Sequence, residues 1–229
     1  MDPSIVPEPA RETEIFENIS EVLEIVKNKS SKNARLVLVS KTKPSSDIIA
    51  ALKTNQLHFG ENYIPNEIRW HYIGRLQSNK CKILANIPNL WAVETIDSAE
   101  KAKKMNDAWS AAGHGRPLNI FVQVNTSSEP NKGGVEPEIL ESACISIKET
   151  CPDLNLLGLM TIGSVESSGM IPNPDFLKML KLRDECSKAL GYELELSMGM
   201  SNDYEHALEV GSNNVRVGSK IFGSRTPKQ

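Results

Sequence analysis

Lys41 closes the stretch Leu36-Val37-Leu38-Val39-Ser40-Lys41-Thr42-Lys43-Pro44, in which four apolar residues run straight into a lysine. The run does not alternate, so it reads as a strand buried on both faces and ending at Lys41. Pro44 blocks helix at Thr42-Lys43 and starts a turn. Lys41 therefore sits where a buried strand meets its loop. Two readings are open. The side chain snorkels to water along its own alkyl stem. Alternatively it is held for Schiff-base chemistry, in which desolvation and a nearby cation lower the ammonium pKa and free the amine as a nucleophile.

Two further stretches have anion-binding chemistry. They are Met198-Gly199-Met200-Ser201-Asn202 and Val215-Arg216-Val217-Gly218-Ser219. Glycine lets a backbone approach an anion, and N–H groups at a helix start bind it. Each stretch also has a plain structural reading. Ser201 and Asn202 cap a helix, with Glu205 three residues after Asn202 much as in a capping box. Gly218-Ser219 makes a tight turn. Arg216 lies between two valines on a buried strand and needs a partner, of which a structural carboxylate is the plain choice. His71 is either a hydrogen-bonded core histidine or a site residue, and Asn62 either satisfies a turn or lines the site. No Ser/His/Asp order, P-loop or G-x-G-x-x-G is visible.

The elements that would position these residues alternate regularly. Residues 11–27 carry an apolar stripe at three- and four-residue steps, which predicts a helix. Eight short strands follow, at 36–41, 57–60, 70–74, 90–94, 119–125, 156–161, 194–197 and 214–217. Helical segments are predicted at 47–52, 98–112, 137–150, 175–190 and 204–210. Such alternation is the signature of a parallel sheet, and the count favours a single α/β (β/α)8 TIM barrel with an extra N-terminal helix. Residues 1–10 read as a flexible tail and 11–229 as one domain. In a barrel the strand C-termini form the functional rim, and phosphate sites are often built after strands seven and eight. That rim would gather Lys41, Asn62, His71, Ser201, Arg216, Gly218 and Ser219.

One connection conflicts with this reading. Only the seven residues from Tyr63 to Arg69 separate strands two and three, whereas a parallel crossover needs about a dozen. Either the two strands are not parallel neighbours or residues are missing from the sequence, and the second reading is favoured.

Composition excludes some classes. The 229 residues carry a net charge of -3, so there is no basic footprint for nucleic acid. No apolar run approaches the ~18 residues of a membrane span. The start, Met1 to Pro9, has no signal pattern. Cys81, Cys144, Cys151 and Cys186 form no metal-binding spacing and read as buried thiols in a reducing, cytoplasmic setting.

Six motifs in order carry a resemblance. They are Val39-Ser40-Lys41-Thr42-Lys43-Pro44, Phe59-Gly60-Glu61-Asn62-Tyr63, Trp70-His71-Tyr72-Ile73-Gly74, Leu159-Met160-Thr161-Ile162, Leu196-Ser197-Met198-Gly199-Met200-Ser201 and Val215 to Gly223. Together, from Leu36 to Arg225, the chain resembles the pyridoxal phosphate homeostasis proteins. The resemblance implies a barrel like the N-terminal domain of alanine racemase. It implies pyridoxal 5′-phosphate held as a Schiff base on Lys41, Arg216 facing the pyridine nitrogen, and Ser201, Gly218 and Ser219 on the phosphate. Met200, Asn62 and His71 fall in the same cofactor-binding motifs. The short stretch from Tyr63 to Arg69 departs from the family, which carries a longer helical segment there.

The implied function is to store and carry pyridoxal phosphate and to maintain intracellular vitamin B6 homeostasis, with apo pyridoxal-phosphate enzymes as acceptors. A monomer is the family-based expectation. The alternative is a weak amino-acid racemase or related enzyme. An arginine cannot accept the proton of a pyridinium, so the ring would be a weak electron sink. Alanine racemase-like enzymes also carry a second domain, for which no residues remain after strand eight. Both points favour a non-catalytic carrier.

Overall fold

The computed structural model describes residues 6–60, 68–127, 129 and 132–224. Its centre is a closed barrel in which β1 to β8 pair in sequence order. The strands are β1 (Arg35–Leu38), β2 (His58–Phe59), β3 (Arg69–Tyr72), β4 (Leu90–Ile96), β5 (Leu118–Gln123), β6 (Leu154–Met160), β7 (Glu195–Ser197) and β8 (Asn214–Val217). Every pairing is parallel, and β8 closes on β1 with Arg35 opposite Asn214 and Leu38 opposite Val217. This is the (β/α)8 architecture that the alternation of strand and helix patterns predicts.

The helices are α1 (Pro9–Lys29), α2 (Ser45–Leu52), α3 (Cys81–Ala85), α4 (Ala99–Ala112), α5 (Leu140–Thr150), α6 (Pro174–Leu190), α7 (Tyr204–Glu209) and α8 (Ser219–Phe222). Helix α1 starts at Pro9, inside the stretch read as a tail. Proline at a first turn costs no hydrogen bond, because that N–H has no intrahelical partner. Its buried residues Ile15, Ile19, Val22 and Val26 recur at four-, three- and four-residue steps. Each such burial contributes about 1.5–3 kcal/mol. The helix packs on α2, α7 and α8. Arg11 is pinned to Asp47 of α2 (2.7 Å) and to the Phe222 carbonyl of α8 (2.9 Å), and Asn18 donates to the Ile221 carbonyl (3.0 Å). Because α8 is a single turn, α1 supplies the long helix that covers the outside next to the β1–β8 seam.

Strands β2 and β3 pair in parallel, with His58 opposite Arg69 and Phe59 opposite Trp70. The reading that they are not parallel neighbours is therefore excluded. The physical reason lies in the length of β2. Only two of its residues pair, so the chain has little height to recover before β3. Residues 61–67 between them lie outside the described residues, so Asn62 does too. The sequence pattern missed α3 altogether, since five residues give too short a period to detect.

Two layers of core result. The larger lies between strands and helices. Inside the barrel the apolar part is small: Ala92, Phe121 and Met160, with Trp91 and Leu157 against them. Much of the remaining interior is polar and buried, and includes His71, Glu94, Ser197, Asn214 and Arg216. Barrels are commonly filled by branched apolar side chains. A polar filling requires mutual hydrogen bonding, because an unpaired buried polar group is costly. All four cysteines are buried and unbridged. No helix among the described residues is long and apolar enough to cross a membrane.

Candidate cofactor site

A cavity of about 440 Å³ opens at the C-terminal ends of the strands. Lys41, Met200, Ser201, Arg216, Gly218 and Ser219 all line it, with Val39, Ile73 and Met160 as apolar walls. Six of the eight site residues chosen from the sequence thus meet in one space. His71 does not border it. It lines a smaller neighbouring cavity of about 290 Å³, which Lys41 also reaches.

Lys41 is placed by the extension of β1. The strand ends at Leu38, three residues before the lysine, but the Val39 amide still donates to the Val217 carbonyl (2.9 Å). The Lys43 amide then donates to the Ser40 carbonyl (3.0 Å), and Thr42 takes a left-handed φ of 67°. This turn ahead of Pro44 leaves Lys41 half-buried and lining both cavities. Lys43 lies in the loop and also lines the larger cavity, but its ammonium donates to the Ser224 carbonyl (2.8 Å).

The opposite wall is built by the β7–α7 and β8–α8 connections. The helix-capping reading of Ser201 and Asn202 is not what the structure shows. Helix α7 starts after Asp203 without a side-chain cap. Asp203 instead accepts from the Met200 amide (2.7 Å) and so closes the loop. Ser201 Oγ reaches across to β8, where it accepts from the amides of Gly218 (3.2 Å) and Lys220 (3.4 Å). Two glycines permit this approach. Gly199 has φ +97°, and a Cβ there would lie 2.6 Å from the Ala207 Cβ. A Cβ on Gly218 would lie 3.0 Å from the Val39 carbonyl oxygen.

Arg216 forms the floor. One terminal nitrogen donates to Ser197 Oγ (2.6 Å) and the other to the Thr161 carbonyl (2.8 Å). Glu94 lies 3.8 Å from the guanidinium, so the carboxylate partner that the sequence argument demanded is present. Burial pulls the Arg216 pKa below its ordinary value, and the charges of Glu94 and Asp203 oppose that. Glu94 is the residue that sequence reasoning passed over. Burial pushes its pKa up. The His71 hydrogen bond and charge, with Arg216 and Ser197, outweigh burial and bring it down to about 2.

Behind Glu94 the polar contacts continue. His71 Nδ1 is 2.5 Å from Glu94 Oε1, and His71 Nε2 is 2.8 Å from His58 Nδ1. With both ring nitrogens engaged, His71 is a hydrogen-bonded interior histidine. It reaches the larger cavity through Glu94 and Ser197. His58 is pushed down to about 3 by burial and by the charges of His71, Arg35 and Arg69. At that end Arg35 pairs with Glu195 and sits over the Trp91 ring at 4.9 Å.

Among the described residues lining the larger cavity, the titratable side chains are Lys41, Lys43 and Arg216, and no carboxylate joins them. Three cations with amide and hydroxyl donors at one end make a site for a dianion. Lys41 brings a primary amine, a nucleophile when unprotonated, to the same space. No group of His, Cys, Asp or Glu among the described residues is arranged to hold a metal.

Known proteins resemble this chain in sequence and in fold. Residues 15–226 match the family "Alanine racemase, N-terminal domain". A pyridoxal phosphate homeostasis protein of Schizosaccharomyces pombe is 45% identical over 213 residues, covering 88% of this chain and 89% of that one. The Homo sapiens protein of the same name is 44% identical over 210 residues, 83% of this chain and 76% of that one. Among solved structures, PipY of Synechococcus elongatus with pyridoxal phosphate bound superposes with a TM-score of 0.77 at 25% identity, over 91% of this chain and all of its own. An alanine racemase of Clostridium difficile shares the fold, with a TM-score of 0.67 at 15% identity, over 93% of this chain and 58% of its own. By sequence and by fold, the chain belongs to the pyridoxal phosphate homeostasis protein family, built on the alanine racemase N-terminal barrel.

Proposed function

We propose that this chain binds pyridoxal 5′-phosphate in the 440 Å³ cavity and carries it for delivery to apo pyridoxal-phosphate enzymes. The observation that carries the reading is the convergence of Lys41, Arg216 and the Ser201–Gly218–Ser219 corner on one space. The donor set fits the molecule at each of its ends. Lys41 offers an amine to the aldehyde; their condensation to a Schiff base releases one water. Ser201 and Ser219 offer hydroxyl groups to the phosphate, and the amides of Gly218 and Lys220 hold Ser201 Oγ in place there. Val39, Ile73, Met160 and Met200 offer apolar contact to the ring. Arg216 faces the ring nitrogen as a donor, which leaves that nitrogen unprotonated.

When bound, pyridoxal phosphate supplies an electron sink for carbanions. This chain's residues do little to use it. Racemisation needs an acid/base on each face of the substrate, whereas the described cavity lining offers only Lys41 and Lys43 besides Arg216. That lining supports a carrier role, and a monomer is the family-based expectation. PipY of Synechococcus elongatus, 25% identical, has been solved with that cofactor bound.

The test is visible absorbance of the loaded protein, borohydride reduction and peptide mapping. Label on Lys41 supports the reading, and Lys43→Ala leaves it in place. Label on Lys43, or on neither lysine, overturns it. Turnover with a panel of L- and D-amino acids at rates typical of enzymes would overturn the carrier role.

A further inference from the structure

We infer that Glu94 is the positioning residue for Arg216: a buried carboxylate that neutralises the guanidinium and, through Ser197 and Asn214, fixes its direction toward the cavity, while His71 and His58 hold the carboxylate from behind. This inference rests on the reading that the cavity holds pyridoxal phosphate on Lys41.

The geometry is one continuous hydrogen-bonded column along the barrel interior. Glu94 Oε1 accepts from His71 Nδ1 (2.5 Å) and Asn214 Nδ2 (3.1 Å), and Oε2 accepts from Ser197 Oγ (2.6 Å). Ser197 Oγ in turn accepts from Asn214 (3.0 Å) and Arg216 (2.6 Å). Every one of these side chains is buried. An ionised carboxylate has no proton to give, so His71 Nδ1 is the donor to Glu94. That fixes the His71 tautomer, and one proton is then shared between His71 Nε2 and His58 Nδ1. Arg216 can only donate, so Ser197 accepts from it and gives its one proton to Glu94. The Ser197 hydroxyl thus ties the guanidinium to a charge that does not itself line the cavity.

The wall that carries this column comes from six strands. Arg35 approaches from β1, His58 from β2, Arg69 and His71 from β3, Glu94 from β4, Glu195 from β7 and Arg216 from β8, with Asp203 ahead of α7. Of these, Glu94 is the carboxylate that the Ser197 bridge links to Arg216. Removing its charge while keeping its shape takes away the larger of the two opposing charges on Arg216 and leaves the smaller effect of Asp203. A nearby cation that is less compensated disfavours a second positive charge, so protonation of the Lys41-linked chromophore should then require lower pH.

The experiment is a pH titration of the visible spectrum of pyridoxal-phosphate-loaded wild type, Glu94→Gln and Glu94→Asp, with cofactor affinity measured alongside. We expect the Glu94→Gln midpoint to fall by about one pH unit, while Glu94→Asp, which keeps the charge, stays near wild type. Identical midpoints for wild type and Glu94→Gln would overturn the inference. A wild type without a visible band would instead overturn the reading of Lys41, so the two failures are distinct. If Glu94→Gln does not fold, Ser197→Ala takes its place, since it leaves both charges and cuts the bridge. Its cofactor affinity should fall about tenfold, a factor equivalent to ~1.4 kcal/mol. An unchanged affinity would overturn the bridge.

Discussion

The carbonyl oxygen of Val39 lies 3.0 Å from the point that a Cβ on Gly218 would occupy, and the Val39 Cβ lies 3.1 Å from it. This close approach joins the end of β1, which sets Lys41, to the end of β8, which sets the Ser201-facing amides. An added methyl must push the two ends apart by a few tenths of an ångström. Overpacking of this kind costs about 1–3 kcal/mol. We expect Gly218→Ala to fold, with unchanged far-ultraviolet circular dichroism, and to bind pyridoxal phosphate roughly tenfold more weakly. Wild-type affinity would show that the seam yields without cost.

Acid should unfold this protein in two stages. His58 has its pKa lowered from 6.5 to about 3, first by burial and then by His71, Arg35 and Arg69. Below pH 6.5 the unfolded chain binds a proton that the folded chain refuses, so stability falls as pH drops from 6.5 toward 3. Glu94 has its pKa lowered from 4.5 to about 2, burial being outweighed by His71 and Arg216. Its contribution is complete above pH 4.5 and is lost between 4.5 and 2. Both groups act in the same direction. We expect the melting temperature to decline from pH 7 to 5, and more steeply below 4.5, by about 3 °C for each kcal/mol. His58→Gln should flatten the upper part of that curve alone.

The barrel and most of its rim were legible in the sequence for one reason. Strand C-termini carry function in this architecture, so counting strands located Lys41, Ser201, Arg216, Gly218 and Ser219 together. Glu94 was not legible as a site residue because the strand reading stopped there. Strand β4 runs on to Ile96, which puts Glu94 inside it. The signal was an acidic residue within an apolar strand, which needs buried partners just as Arg216 does. His58 was hidden on a strand of two residues. The role of Ser201 was blurred by local rules, since Asn202 and Glu205 imitate a capping box. A hydrogen bond to an amide 17 residues away has no periodic signature.

Charge balance at the floor is open to a double-variant test. Arg216→Met leaves Glu94 buried with its hydrogen bonds but without its cation. Removing one partner of a buried pair costs about 3–5 kcal/mol. Arg216→Met combined with Glu94→Gln removes both charges, so part of that loss should return. Urea midpoints of the four proteins give the coupling, which we expect to be about 1–3 kcal/mol in favour of the native pair. A coupling near zero would mean that the 3.8 Å separation is screened.

Ser201 offers the cleanest separation of phosphate from ring. Its Oγ accepts from the amides of Gly218 and Lys220, so the hydroxyl organises the β8–α8 corner and its own proton remains to be given to an oxygen of the phosphate. Ser201→Ala removes that donor and the acceptor that holds the two amides in register. The apolar walls at Val39, Ile73 and Met160 and the amine of Lys41 are untouched. Loss of one hydrogen bond to a charged group costs about 1.5–3 kcal/mol. We therefore expect Ser201→Ala to bind pyridoxal 5′-phosphate about 10- to 100-fold more weakly, while its affinity for pyridoxal, which lacks the phosphate, stays at the wild-type value. Titration of both ligands by absorbance checks this. Equal losses for the two ligands would show that Ser201 shapes the cavity as a whole, and equal retention would remove it from the phosphate site.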